Sequence, residues 1–121
     1  MRKLVFVSDD YDGLAALMAE FLKRRTDWDA AAMKDGAEVL EEARRRRPDI
    51  CILDIDMPRI GGIQAARELR RMFPGDTPLL VGMSGIAPLA TLSGVFDHVF
   101  AKPLDIEELV RRIDPSQDLM I

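Results

Sequence analysis

The sequence predicts an α/β fold in which five parallel strands are covered by helices on both faces. Three observations lead there. Short apolar runs alternate with helical stripes five times along the chain, and such alternation specifies a parallel sheet with crossover helices. The runs at 50–53 and 79–83 are continuously apolar, as central strands buried on both faces are. Four of the runs end in chemistry: Asp9-Asp10, Asp54, Ser84 and Lys102. That suits the carboxyl edge of an open α/β sheet, where ligands bind.

Residues 3–8 are a short β-rich run, strand 1. Leu14, Leu17, Met18, Phe21 and Leu22 follow at i, i+3, i+4, i+7 and i+8, one apolar stripe of a first helix. Lys23, Arg24 and Arg25 fall in its last turn, where the helix dipole favours cations. Residues 28–33 form a weak second strand. Three consecutive alanines give it low β-propensity, which suits an edge. Asp35 followed by Glu38 has the pattern of a capping box and opens a second helix with Val39, Leu40 and Ala43 inward. Four arginines at 44–47, stopped by Pro48, read as a solvated, dipole-favoured helix end rather than a nucleic-acid patch.

Strand 3 spans 50–53. Gly61-Gly62 opens a third helix with Ile63, Ala66, Leu69, Met72 and Phe73 inward, ended by Pro74-Gly75. Strand 4 spans 79–83. Residues 86–93 have little pattern and suggest a shortened fourth helix with Pro88 in its first turn. Strand 5 spans 97–101. Asp105 with Glu108 is a second capping pattern, and Ile106, Leu109, Val110 and Ile113 are the stripe of a fifth helix. With strand 2 at an edge, apolar strands central and crossovers right-handed, the sheet order is 2-1-3-4-5. This is the flavodoxin-like (βα)5 three-layer sandwich. The core is expected at about 3–113, with 114–121 a loose tail.

The 121 residues suit a single domain, 1–121, and a core without staples. A net charge of −4 disfavours general nucleic-acid or membrane-surface binding. Cys51 is the only cysteine, lies in an apolar run and reads as an inert core thiol, in keeping with a cytoplasmic location. The apolar run after Met1-Arg2-Lys3 is too short for a signal peptide. No segment has the length of a membrane span.

The switch point of a 2-1-3-4-5 sheet lies between strands 1 and 3. The fold therefore brings Asp9, Asp10, Asp54, Ser84 and Lys102 to one rim. Three close carboxylates repel one another, and a hard divalent cation such as Mg²⁺ resolves this with oxygen ligands. Lysine supplies a compact positive charge, and serine a hydrogen-bond donor. Together they suit phosphoryl transfer to a carboxylate nucleophile.

The chain resembles a response-regulator receiver domain of bacterial two-component signalling. The resemblance rests on Asp9-Asp10, on Asp54-Ile55-Asp56-Met57-Pro58 with Gly62, on Ser84, and on Phe100-Ala101-Lys102-Pro103. It implies that Asp54 accepts the phosphoryl group from a histidine kinase or histidine phosphotransfer protein. It implies that Asp9, Asp10, Asp54 and the backbone carbonyl of Asp56 hold Mg²⁺, for which Mn²⁺ can substitute. Lys102 would pair with phosphoryl oxygens, Ser84 would move to hydrogen-bond them, and Phe100 would turn inward with Ser84. The Lys102–Pro103 bond is a candidate cis peptide, with Pro103 its proline. No other cofactor is implied.

The family commonly reads its state out on the face of helix 4, strand 5 and helix 5, which also makes that face a candidate homodimer surface. The pattern departs from the common one at Ser84, Gly85 and Gly61 and in the short 84–102 segment. The resulting expectation is a phosphorylation-dependent switch that hydrolyses its own acyl phosphate and is otherwise not an enzyme. It would act on an unknown downstream protein, without direct nucleic-acid or membrane contact and without an output domain in this chain. The alternative is a pseudo-receiver, an interaction module acting without phosphorylation. A flavodoxin-like enzyme or nucleotide binder is disfavoured, because Ser8-Asp9-Asp10-Tyr11 stands where a Gly-rich phosphate loop would follow strand 1.

Overall fold

In chain order the elements are β1 (Leu4–Ser8), α1 (Leu14–Arg25), β2 (Asp29–Met33), α2 (Gly36–Arg45), β3 (Ile50–Asp54), α3 (Gly62–Met72), β4 (Leu79–Ser84), β5 (His98–Ala101) and α4 (Ile106–Ile113). The computed structural model describes residues 2–11, 13–56, 60–85, 94–117 and 119. The predicted fourth helix, 86–93, lies outside the described residues, so the fifth helix of the sequence is α4 here.

The strands form one parallel sheet in the order β2-β1-β3-β4-β5. Every residue of β3 is buried, whereas β2 leaves Asp29 and Ala32 exposed, as a thinly covered edge does. Side chains alternate across a strand, and the sheet accordingly separates two cores. One holds Val5, Val7, Ile52, Val81, Met83 and Phe100 against α1 and α4. The other holds Phe6, Cys51, Leu53 and Leu80 against α2 and α3, with Phe96 closing one end. Cys51 is inaccessible, and burial pushes its thiol far above the usual thiol range.

Both acidic caps form. Asp35 accepts the Glu38 N–H at 2.9 Å, and Asp105 accepts those of Glu107 and Glu108 at 3.1 and 3.2 Å. Three expectations change. The buried ridge of α1 is Ala15, Met18, Ala19 and Leu22, while Leu17 is 68% exposed. The two alanines let the helix lie close to the sheet and turn Leu17 outward. The arginine run is only partly free. Arg46 lies over the Phe6 ring at 5.6 Å, and Arg47 reaches the carboxylates of Asp49 and Asp76 at 3.3 and 3.1 Å. Two residues of the expected tail are docked: Gln117, whose Nε2 donates to Asp27 Oδ1 at 2.6 Å, and Leu119, which packs on the α1 side.

Candidate acidic pocket at the carboxyl edge

β1 hands over to Asp9 at the point where the Asp9 N–H still reaches Met33 O of β2, at 3.4 Å. Asp9 Oδ1 then accepts the Tyr11 N–H at 2.8 Å, a tight Asx turn that fixes the carboxylate. Asp54 is the last residue of β3 and is inaccessible to solvent. The ladder to β4 continues one residue further through Ile55 N–H to Met83 O at 2.9 Å, which fixes the backbone just past Asp54. Its Oδ1 accepts the N–H of the exposed Asp56 at 3.0 Å. Its Oδ2 accepts the Lys102 ammonium at 2.8 Å.

Lys102 is placed by β5. Its N–H donates to Ser84 O at 3.0 Å, which brings its base beside the end of β4. The Lys102–Pro103 peptide is cis. Gly62 packs against the backbone of Asp54 and Ile55. A Cβ there would stand 2.7 Å from Asp54 O and 3.0 Å from Ile55 Cα, so only glycine lets α3 start this close to the end of β3.

Asp9, Asp10 and Asp54 each offer a carboxylate oxygen within 4.8 Å of the others. Asp9 and Asp54 are buried and Asp10 is exposed. Asp9 Oδ2 is buried without a hydrogen bond among the described residues, its nearest cation being Lys102 Nζ at 3.5 Å. Burial first, and then the Asp54 charge, raise Asp9 above the ordinary carboxylate range, against the Tyr11 N–H and Lys102. For Lys102, burial opposes the ammonium, but the hydrogen bond and charge of Asp54, with the charge of Asp9, outweigh it and raise its pKa. The donor set fits a hard divalent cation: clustered acidic oxygens, one open to water and one buried without a donor.

The raised Asp9 gives a pH prediction. A carboxyl that binds its proton more tightly when folded adds stability at low pH. That stability is lost as pH rises from the ordinary value of about 3.9 through the raised one. In chelator, Asp9→Asn is therefore expected to gain on wild type progressively over that window, read by urea unfolding at stepped pH. A stability difference that stays flat with pH would contradict the strain assigned to Asp9.

The sequence-predicted Asp9, Asp10, Asp54 and Lys102 meet in one pocket, and Ser84 stands buried at its β4 side. Asp56 adds its N–H to Asp54 from outside. Phe100 does not sit as expected. It pairs in register with Met83 and lies in the α1–α4 core, while Ser84 has the opposite parity and pairs with Ala101. A ring on the other side of the sheet cannot follow Ser84. Val99 has the matching parity and packs on the α2–α3 side.

Fold and pocket together define a receiver-type α/β domain. The chain belongs to the response regulator receiver domain family, whose model matches residues 5–114. It is 36% identical over 114 residues to the transcriptional regulatory protein PrrA of Mycobacterium tuberculosis, covering 92% of this chain and 48% of PrrA. It is 33% identical over 115 residues to the DNA-binding response regulator MtrA of Mycolicibacterium smegmatis, covering 93% and 50%. The chain thus spans about half the length of these curated relatives. The fold is also that of the receiver domain of Francisella response regulator 1452, with a TM-score of 0.79 at 24% identity, covering 94% of this chain and 95% of that one. The BeF3-activated DrrB receiver domain gives a TM-score of 0.80 at 18% identity, covering 95% and 97%.

Proposed function

We propose that this domain is a phosphorylation-dependent switch whose acceptor is Asp54. The observation that supports it best is the buried Asp54 carboxylate, bonded to Lys102 at 2.8 Å and within 4.8 Å of the Asp9 and Asp10 oxygens. A histidine kinase or histidine phosphotransfer protein is the donor. An Asp54 oxygen attacks phosphorus, the P–N bond to the donor histidine breaks, and the imidazole takes the electron pair. Asp9, Asp10, Asp54 and the Asp56 carbonyl would hold Mg²⁺, or Mn²⁺ in its place, which supplies positive charge to the phosphoryl oxygens. Lys102 adds a fixed cation and Ser84 a hydroxyl. Attack of water on the acyl phosphate then returns the carboxylate and resets the switch. Signalling, with no catalysis beyond its own phosphorylation and hydrolysis, is the activity assigned.

An apolar groove of about 360 Å³ opens beside the pocket between α1 and the start of α4, with Asp9 and Lys102 among its lining residues. Leu17, Phe21, Leu104 and Ile106 line its outer part. It suits the donor, which must bring a histidine to Asp54. Leu17→Asp is expected to slow transfer from the donor protein at least about tenfold, worth ~1.4 kcal/mol, and to leave the rate from acetyl phosphate unchanged. Equal slowing from both donors would place the effect in the pocket instead.

Among the described residues no helix is long and apolar enough to cross a membrane, and a cytoplasmic site of action belongs to this reading. A homodimer through β5, α4 and the 86–93 segment is also part of it. The test is intact mass after incubation with acetyl phosphate, with and without Mg²⁺, for wild type and Asp54→Ala. A Mg²⁺-dependent gain of one phosphoryl group in wild type alone is expected. No gain, together with no response of the pocket amides to beryllofluoride by NMR, would favour the phosphorylation-independent module.

A further inference from the structure

With Phe100 on the other side of the sheet from Ser84, the aromatic of the α2–α3 core that lies against β4 at Gly82 is Phe96. It is 3% exposed and lies in the α2–α3 core together with Leu80, Ile55 and Val99. Its ring presses on the bare backbone of Gly82. A Cβ at Gly82 would stand 3.0 Å from Phe96 Cγ and Cδ2 and 3.1 Å from Ile55 Cδ1. A glycine inside a strand weakens it relative to alanine, and here it makes room for those two side chains. Ile55 joins the acceptor Asp54 to Asp56, and its N–H holds Met83 O. Phe96 in turn is fixed to the entry of β5. Asp97 exchanges two bonds with Leu80, N–H to O and Oδ2 from N–H, both at 2.8 Å, and Arg70 Nη2 donates to Val95 O at 2.7 Å.

We propose that Phe96 is the positioning residue through which the state of Asp54 reaches β5, by way of the Ile55 tip and the Phe96 ring that share the space over Gly82. The interior is close-packed, so a displacement of the 54–56 turn has no void to dissipate in. It moves the Ile55 tip against Phe96, and Phe96 carries the 94–97 segment with it. This inference rests on the acceptor reading of Asp54.

The test is amide NMR with Mg²⁺ and beryllofluoride, which separates the two claims. Wild type is expected to shift at Asp10 and Asp56, in the pocket, and at His98 and Val99, in β5. Phe96→Leu is expected to keep the pocket shifts and lose those in β5, whereas Phe100→Leu keeps both. Pocket and β5 shifts both persisting in Phe96→Leu would overturn the coupling role and leave the pocket intact. No pocket shift in wild type would overturn the acceptor reading and this inference with it. Should Phe96→Leu fail to fold, Ile55→Val removes only the Cδ1 contact and is read by the same shifts.

Discussion

Replacing Lys102 by methionine is expected to lower metal-free stability by about 3 kcal/mol, the low end for breaking a buried ion pair from one side. The asymmetry of the pair decides this. Lys102 is 29% exposed at its side chain, whereas the carboxylates of Asp9 and Asp54 are fully covered. Removing the ammonium strands two buried like charges. Removing Asp54 strands one cation that keeps water and Asp9 at 3.5 Å. Asp54→Ala should therefore cost clearly less than Lys102→Met. In urea, with a slope of about 1–3 kcal/mol/M, the Lys102→Met midpoint should fall by roughly 1–3 M in chelator. Mg²⁺ should recover part of the loss by neutralising the same carboxylates. A Lys102→Met midpoint equal to wild type in chelator would mean that the carboxylates are not electrostatically strained.

The second large effect is expected at Gly62. The added methyl of Gly62→Ala meets backbone, Asp54 O at 2.7 Å and Ile55 Cα at 3.0 Å, neither of which can rotate away. Alanine gains up to about 1 kcal/mol in helix propensity, but overpacking of this kind costs typically ~1–3 kcal/mol and sometimes more. A net destabilisation of about 2 kcal/mol is expected, with slower phosphorylation because the displaced backbone is that of Asp54, the proposed acceptor. Thermal melts and the acetyl phosphate rate read the two separately. A stabilised Gly62→Ala with an unchanged rate would mean that the methyl is accommodated without moving the Asp54 backbone.

The sheet order and the pocket were legible because both follow from strand ends. Continuous apolar runs at 50–53 and 79–83 mark the centre, the alanine-rich run marks an edge, and the polar residue after each run then has only one rim to occupy. What stayed illegible depends on distances between elements. Leu17 fits the helical stripe by spacing, and only the close seat of Ala15 and Ala19 turns it out. The side on which Phe100 lies depends on its register with Met83, which no local pattern states. Gly82 reads as an ordinary weak point in a strand until Phe96, distant in sequence, is found against it. Gln117 and Leu119 lack periodicity, so their docking on Asp27 and the core left no signal.

Trp28 is the only tryptophan in the chain, and its side chain is fully buried in the α1–α4 core. Its backbone is tied down at both ends, its N–H to Thr26 Oγ1 at 3.0 Å and its carbonyl from Arg2 Nη2 at 3.1 Å. Its indole N–H finds no acceptor among the described residues. Such a buried indole should emit at short wavelength and redden when unfolding exposes it to water. The chain therefore carries its own optical gauge of unfolding, placed where occupancy of the acidic pocket does not touch the chromophore. Melts with and without Mg²⁺ can be compared on one emission baseline, without an added dye.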